Sequence, residues 1–101
     1  MPVTCSIENR VLTACISGDV DHHGAKAVMQ RLDTQIDLGL PKRLILDLSG
    51  VTFMDSSGIA ILLRAWRRMG ELSGTMTVSG VPAQAARVLR AAGVDRLITF
   101  E

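Results

Sequence analysis

Strand-like and helix-like hydrophobic patterns alternate along this 101-residue chain, and the alternation limits the folds that it can adopt. Short apolar or alternating segments predict strands at residues 3–7, 11–17, 44–48, 75–79 and 97–100. Apolar residues recur at helical spacing in three longer segments, which begin after Asp21, around Asp55–Ser56 and at Pro82. The first two strands suggest a hairpin, and the later alternation implies right-handed crossovers. We therefore expect an α/β domain with a mixed central sheet of about five strands and three or more helices.

A polar segment interrupts the most hydrophobic part of the chain. Residues 44–48 are nearly all apolar, as is typical of a central strand covered on both faces, and Ser49–Gly50 predict its end. The sequence FMDSSGIA at 53–60 then contains Asp55, Ser56, Ser57 and Gly58, here called the DSSG segment. Functional groups in such sheets collect beyond the carboxyl ends of strands and beside helix N-termini. The DSSG segment is therefore the expected functional site.

The composition excludes several classes of function. With 48% hydrophobic and 21% charged residues, the chain is expected to form one globular domain spanning 1–101. A net charge of +1, dispersed basic residues and only 3% aromatic residues argue against nucleic-acid binding. The sequence predicts no secretory signal and no membrane span, so we expect a cytoplasmic protein. We also expect that the protein needs no cofactor.

Cys5 and Cys15 stand ten positions apart in the first two predicted strands. They lack the close partners of a zinc site, and cysteine in apolar strands usually behaves as a small buried hydrophobe. We expect both to be buried structural residues, with a disulfide as the alternative if the two strands pair.

Three interpretations of the DSSG segment follow from its residues. Asp55 or Ser56 could cap the following helix, although one residue is enough for that. A serine nucleophile is a weaker interpretation, because the esterase pattern Gly-x-Ser-x-Gly is absent and both histidines precede the serines. Phosphorylation is the third, because a phosphate at a helix N-terminus meets free N–H groups and the positive end of the helix dipole. The added charge and bulk would disrupt a partner docked there.

Three segments resemble the anti-sigma factor antagonists, which are built on the STAS domain. They are GDVDHH at 18–23, LILDLSGVTFMDSSG at 44–58 and VSGVPAQAARVLRAAGVDRLITFE at 78–101. The first segment is closest to the sporulation-type branch. Ile59-Ala60 departs mildly from the Leu-Gly that is usual in the family.

The resemblance implies that the protein is a binding switch controlled by phosphorylation and is not itself an enzyme. Ser57 would be phosphorylated by a cognate anti-sigma factor, itself an ATP-dependent serine kinase, and a serine phosphatase would restore the unphosphorylated form. Unphosphorylated protein would bind the anti-sigma factor and release the sigma factor. The alternative is a STAS scaffold or regulatory subunit with a non-sigma signalling or transporter partner.

The resemblance also implies a partner-binding surface around Ser57. Its expected residues are Asp21, His22, His23, Asp55, Ser56, Ser57 and Gly58. Adjacent histidines point in different directions, so we expect no metal site there.

The second predicted helix divides into two faces. Ile59, Leu62, Leu63, Trp66 and Met69 form its expected buried stripe. Arg64, Arg67 and Arg68 lie opposite, where they are expected to be solvated, with contact to an acidic kinase surface as the alternative.

Overall fold

The computed structural model of this protein describes residues 3–101. Its strands form one sheet in which most neighbouring strands are parallel. The strands are β1 (Val3–Glu8), β2 (Val11–Val20), β3 (Arg43–Met54), β4 (Thr75–Ser79) and β5 (Thr99–Phe100). The helices are α1 (His22–Gly39), α2 (Ser57–Glu71) and α3 (Ala83–Ala91), and a 3-10 turn covers Val94–Arg96. The strands lie in the order β1-β2-β3-β4-β5; only β1 is antiparallel to its neighbour. The predicted mixed α/β fold is therefore confirmed.

All three helices pack on one face of the sheet. Each crossover leads to the next strand in the same direction, and right-handed crossovers of that kind place their helices on the same side. Leu44, Leu46 and Leu48 of β3 are fully buried beneath the helices. Their neighbours Ile45 and Asp47 are only partly buried. The strand was expected to be covered on both faces or nearly so. This prediction is wrong, since no helix among residues 3–101 covers the opposite face of the sheet.

Two strands continue past their predicted ends. The second strand was expected to end at residue 17, just before Gly18, and the third at Ser49–Gly50, but β2 and β3 remain paired as far as Val20 and Met54. The pairing of β2 with β3 shifts in register twice, between Cys15 and Ser17 and between Gly18 and Asp19. Gly18 has a positive φ of 78°, a conformation that favours glycine. The last strand is shorter than predicted. The N–H groups of Leu97 and Ile98 donate to the Val94 carbonyl of the preceding 3-10 turn, so only Thr99–Phe100 pair with β4.

The two cysteines lie on opposite faces of the sheet. Cys5 is paired across β1–β2 with Ala14, which is fully buried on the helix-covered face. Cys15 is paired with Thr4 and is exposed on the open face, with its Sγ 3.8 Å from Asp47 Oδ2. Both thiols are free, so the disulfide alternative is wrong, and so is the prediction of burial for Cys15. Cys5 is partly buried, and its burial raises the pKa of the thiol.

The stripe predicted on α2 is correct for Leu62 and Met69 but not for Trp66. Ile61, Leu62, Ala65 and Met69 are buried in the core, whereas Trp66 is 40% exposed. Trp66 lies beside Leu97 in an open cleft of about 650 Å³ between the end of α2 and strands β4 and β5. None of the DSSG residues lines this cleft.

Candidate functional site

The DSSG segment lies where two neighbouring parallel strands end and two helices begin. Val20 and Met54 are paired at the ends of β2 and β3, and the N–H of Asp55 donates to the Val20 carbonyl over 3.1 Å. Asp21 and Asp55 thus follow paired strands in equivalent positions. The N-termini of α1 and α2 therefore meet at one edge of the sheet, where their dipoles favour negative charge.

Asp21 uses its carboxylate within its own helix. Its Oδ1 accepts the N–H groups of His23 and Gly24 over 3.0 and 3.1 Å, and its backbone has the extended conformation of an N-cap residue. Asp21 is therefore the N-cap of α1, the helix that was predicted to begin after it. The carboxylate is consequently held in place by α1 and is not free to orient a histidine.

His22 and His23 are exposed at the start of α1. Their rings lie with centroids 4.0 Å apart and an interplanar angle of 36°. No hydrogen bond joins either ring to a serine hydroxyl, and no cluster of three metal-ligating side chains forms, within residues 3–101. The arrangement of a serine hydrolase is therefore not assembled in this part of the chain.

Asp55 fixes the turn that leads into α2. Its Oδ1 accepts the N–H of Ser57 over 2.7 Å. This hydrogen bond is the main cause that lowers the pKa of Asp55, and the Ser57 hydroxyl and nearby His22 act in the same direction. Asp55 is therefore an ionised carboxylate directly beside Ser57 at neutral pH.

The two serines differ in position, and neither hydroxyl caps the helix. Ser56 is the N-cap residue of α2, but its side chain makes no cap hydrogen bond; its carbonyl accepts the N–H of Ile59 over 3.1 Å. Of the two residues expected to cap, Asp55 binds the free N–H. Ser56 is exposed, whereas Ser57 is partly buried as the first residue of α2.

Gly58, the second residue of α2, is buried and faces inward. A Cβ atom at this position would lie 2.5 Å from Cγ and 2.8 Å from Cε of Met54, too close for an unchanged structure. Met54 is itself 1% exposed. Packing against Met54 is thus the physical reason for glycine in the DSSG segment.

Two neighbours of the site carried no sequence signal of their own. Phe53 is 45% exposed beside the segment. Gln84, thirty residues beyond Met54, binds the backbone of Met54 from α3. Only the three-dimensional fold brings Gln84 to the site.

The arginines on the outer side of α2 mostly contact α1. Arg64 forms an ion pair with Asp33 at 2.8 Å, and Arg68 pairs with Asp33 and Asp37. Arg64 and Arg68 are therefore engaged within the chain. Arg67 has no acidic partner among residues 3–101.

The fold and site together define an α/β domain with helices on one face of the sheet and two adjacent serines at the start of a helix. Residues 4–101 match the model of the STAS domain. The chain belongs to the STAS domain family. No helix within residues 3–101 has the length and apolar character needed to cross a membrane.

Named relatives agree with this assignment. An anti-sigma F factor antagonist from Paenibacillus polymyxa is 30% identical over 88 residues, which cover 87% of this chain and 75% of the relative. The solved structure of the anti-sigma factor antagonist SpoIIAA in its unphosphorylated form has a TM-score of 0.85 at 20% identity, covering 98% of this chain and 87% of that one. The Bacillus cell fate determinant SpoIIAA in its phosphorylated form has a TM-score of 0.75 at 20% identity, covering 98% and 90%.

Proposed function

We propose that this protein is an anti-sigma factor antagonist whose binding to its partner is switched off by phosphorylation of Ser57. The observation that carries the proposal is the position of Ser57, the first residue of α2, between the ionised Asp55 and the converging starts of two helices. The names of the relatives support the partner class, since they include anti-sigma F factor antagonists. The GDVDHH segment supports a place in the sporulation-type branch.

The proposed partner is an anti-sigma factor with serine kinase activity. In the unphosphorylated state, the surface around Ser57 would bind this partner and so free a sigma factor. Asp21, His22, His23, Asp55 and Ser56 would form this surface with the acceptor, and Gly58 would act from inside through its packing on Met54. Exposed Phe53 adds an aromatic side chain, a type that is enriched in protein–protein interfaces relative to the rest of the surface.

Phosphorylation changes the charge at this surface without requiring a new fold. A phosphate adds about −1.5 to −2 charges at neutral pH, and the two helix starts tolerate negative charge. The same phosphate lies beside the Asp55 carboxylate, so a docked partner would have to cover two adjacent anions. The desolvation cost and bulk oppose binding, and a serine phosphatase acting on phospho-Ser57 would restore it.

The decisive experiment maps the phosphate. The protein is incubated with its cognate anti-sigma kinase and ATP, and the modified residue is identified by mass spectrometry. We expect phosphate on Ser57 in the wild type and in Ser56→Ala, and none in Ser57→Ala. Modification of Ser56 alone, or of neither serine, contradicts the proposal; absence of modification favours a STAS scaffold with a non-sigma partner.

Binding of Ser57 variants tests the switch separately from the chemistry. Ser57→Ala is expected to bind the anti-sigma factor, whereas Ser57→Asp is expected to bind more weakly by over about 1.4 kcal/mol, a tenfold change in Kd. Calorimetric titration measures both. Ser6→Asp is the matched control, because it adds the same charge on an exposed side chain of β1, beside Thr13 and away from the end of β2; its affinity should equal that of the wild type. Equal affinities of Ser57→Ala and Ser57→Asp would count against the switch.

A further inference from the structure

Strand β3 extends well beyond its neighbour β4. It pairs with β2 as far as Met54, but with β4 only along residues 43–47. Past Asp47, the β4 side of β3 has no strand partner within residues 3–101. Backbone N–H and C=O groups on that side must be satisfied by other groups.

Gln84 satisfies them at the last residue of β3. The N–H of Met54 donates to Gln84 Oε1 over 2.8 Å, and Gln84 Nε2 donates to the Met54 carbonyl over 2.8 Å. A primary carboxamide offers the donor and acceptor of a peptide group. Gln84, partly buried in the first turn of α3, therefore replaces a strand partner for one residue.

The backbone just before Ser57 is thus held from both sides. The N–H of Asp55 donates to Val20 of β2, while Gln84 of α3 holds the adjacent Met54 on the opposite side. The next hydrogen bond runs from the N–H of Ser57 to the Asp55 carboxylate. These contacts form a continuous connection from α3 to the acceptor serine.

We propose that Gln84 is a positioning residue for the phosphorylation of Ser57. This inference rests on the proposed function and names the group that orients its acceptor. Without the Gln84 carboxamide, the end of β3 keeps only its β2 partner, and the Ser57 hydroxyl is presented over a wider range of positions. Reaction rates fall steeply with such displacement, by up to about 100-fold for about 1 Å.

The test compares Gln84→Met with the wild type as substrates of the anti-sigma kinase. Methionine keeps the length of the side chain but cannot form the two hydrogen bonds. We expect kcat for phosphorylation of Ser57 to fall about tenfold while KM changes less than about twofold, because orientation is lost and the contact surface remains. Exchange of the Met54 amide hydrogen, followed by NMR, is expected to become faster; this readout does not depend on the kinase.

Two further variants keep the test decisive. Gln30→Met is the matched control, since Gln30 is exposed on α1 and its carboxamide makes no side-chain hydrogen bond within residues 3–101; its kcat should equal that of the wild type. Gln84→Glu keeps an acceptor for the Met54 N–H but turns a carboxylate towards the Met54 carbonyl, so its kcat should also fall. Gln84→Glu decides the matter if Gln84→Met fails to fold, as judged by circular dichroism.

The outcomes separate the two proposals. A phosphorylated wild type with an unchanged kcat in the folded Gln84 variants overturns only the positioning role. An equal loss in Gln30→Met overturns it as well, because the effect would not be specific. Absence of phosphate on Ser57 of the wild type overturns the proposed function, and the positioning role with it.

Discussion

Gly58 occupies a position in α2 where a side chain would collide with the core. A Cβ there meets Met54, whereas a Cβ on Gly70 of the same helix has no atom within 4 Å. Both glycines lower helix propensity by about 1 kcal/mol relative to alanine. Comparing alanine substitutions of the two glycines therefore separates the effect of packing against Met54 from the effect of helix propensity.

We expect Gly58→Ala to lower the free energy of unfolding by up to about 2 kcal/mol. The usual overpacking cost of about 1 to 3 kcal/mol is partly offset by a gain of about 1 kcal/mol in helix propensity and by movement of the flexible Met54 side chain. Gly70→Ala, the control, should leave it unchanged or raise it by up to about 1 kcal/mol. Urea denaturation measures both changes. In a Met54→Ala background the penalty of Gly58→Ala should shrink, because the colliding atoms are gone. Equal effects of the two glycine substitutions would refute the proposed packing constraint.

At the scale of elements, α1 and α2 are joined on their outer sides by ion pairs. Arg68 lies 3.5 Å from both Asp33 and Glu71 and also contacts Asp37, with its side chain only 25% exposed. Arg64 pairs with Asp33 but is 55% exposed. Single exposed pairs contribute little, whereas networks around a partly covered arginine contribute more.

Arg68→Met is expected to lower the free energy of unfolding by about 1 kcal/mol, and Arg64→Met by less. Arg67→Met should change it little, since Arg67 makes no ion pair within residues 3–101. Thermal unfolding at low and high salt checks this expectation. The effect of Arg68→Met should diminish at about 1 M salt, where the Debye length is about 3 Å. A loss of unfolding free energy that does not depend on salt would indicate that packing of the arginine side chain is responsible instead.

The elements were largely predictable from local pattern, but their ends were not. Helical spacing of Val28, Leu32 and Ile36 identified α1 because those residues do pack on the sheet. Gly18 and Ser49–Gly50 are local turn signals, and they were overridden because β2 and β3 pair with each other over nearly their full lengths. Pairing between distant segments leaves no mark at the residues where a turn was expected.

The candidate site was likewise predictable only where its contacts are local in the sequence. The DSSG motif was recognisable because its residues are contiguous, and the cap formed by Asp21 follows from local chemistry. The contact of Gln84 with Met54 joins segments thirty residues apart and depends on where α3 lands. Likewise, burial of Gly58 follows from the position of Met54, which composition does not reveal.

At the scale of the whole molecule, the one-sided sheet gives the two cysteines different environments. Cys15 is exposed on the open face, while Cys5 is partly buried and burial raises the pKa of its thiol. Thiolate is the reactive form, so the raised pKa and reduced access both slow the reaction of Cys5.

Under native conditions we therefore expect a thiol reagent such as DTNB to modify Cys15 rapidly and Cys5 slowly. After denaturation both should react at similar rates. Absorbance of the released thiolate gives the time course, and Cys15→Ser should remove the fast phase alone. A native protein with no titratable thiol would contradict the free state of both cysteines.

The order of strands also determines how the domain can be assembled. Because every strand lies next to its predecessor in the chain, each new strand and helix can be added to an existing edge without insertion between earlier strands. N-terminal segments emerge first during synthesis. The turn bearing Ser57 can therefore form with β2, α1 and β3, but its last anchor arrives only with α3. A nascent chain would thus possess the acceptor serine before it possesses the residue that orients it.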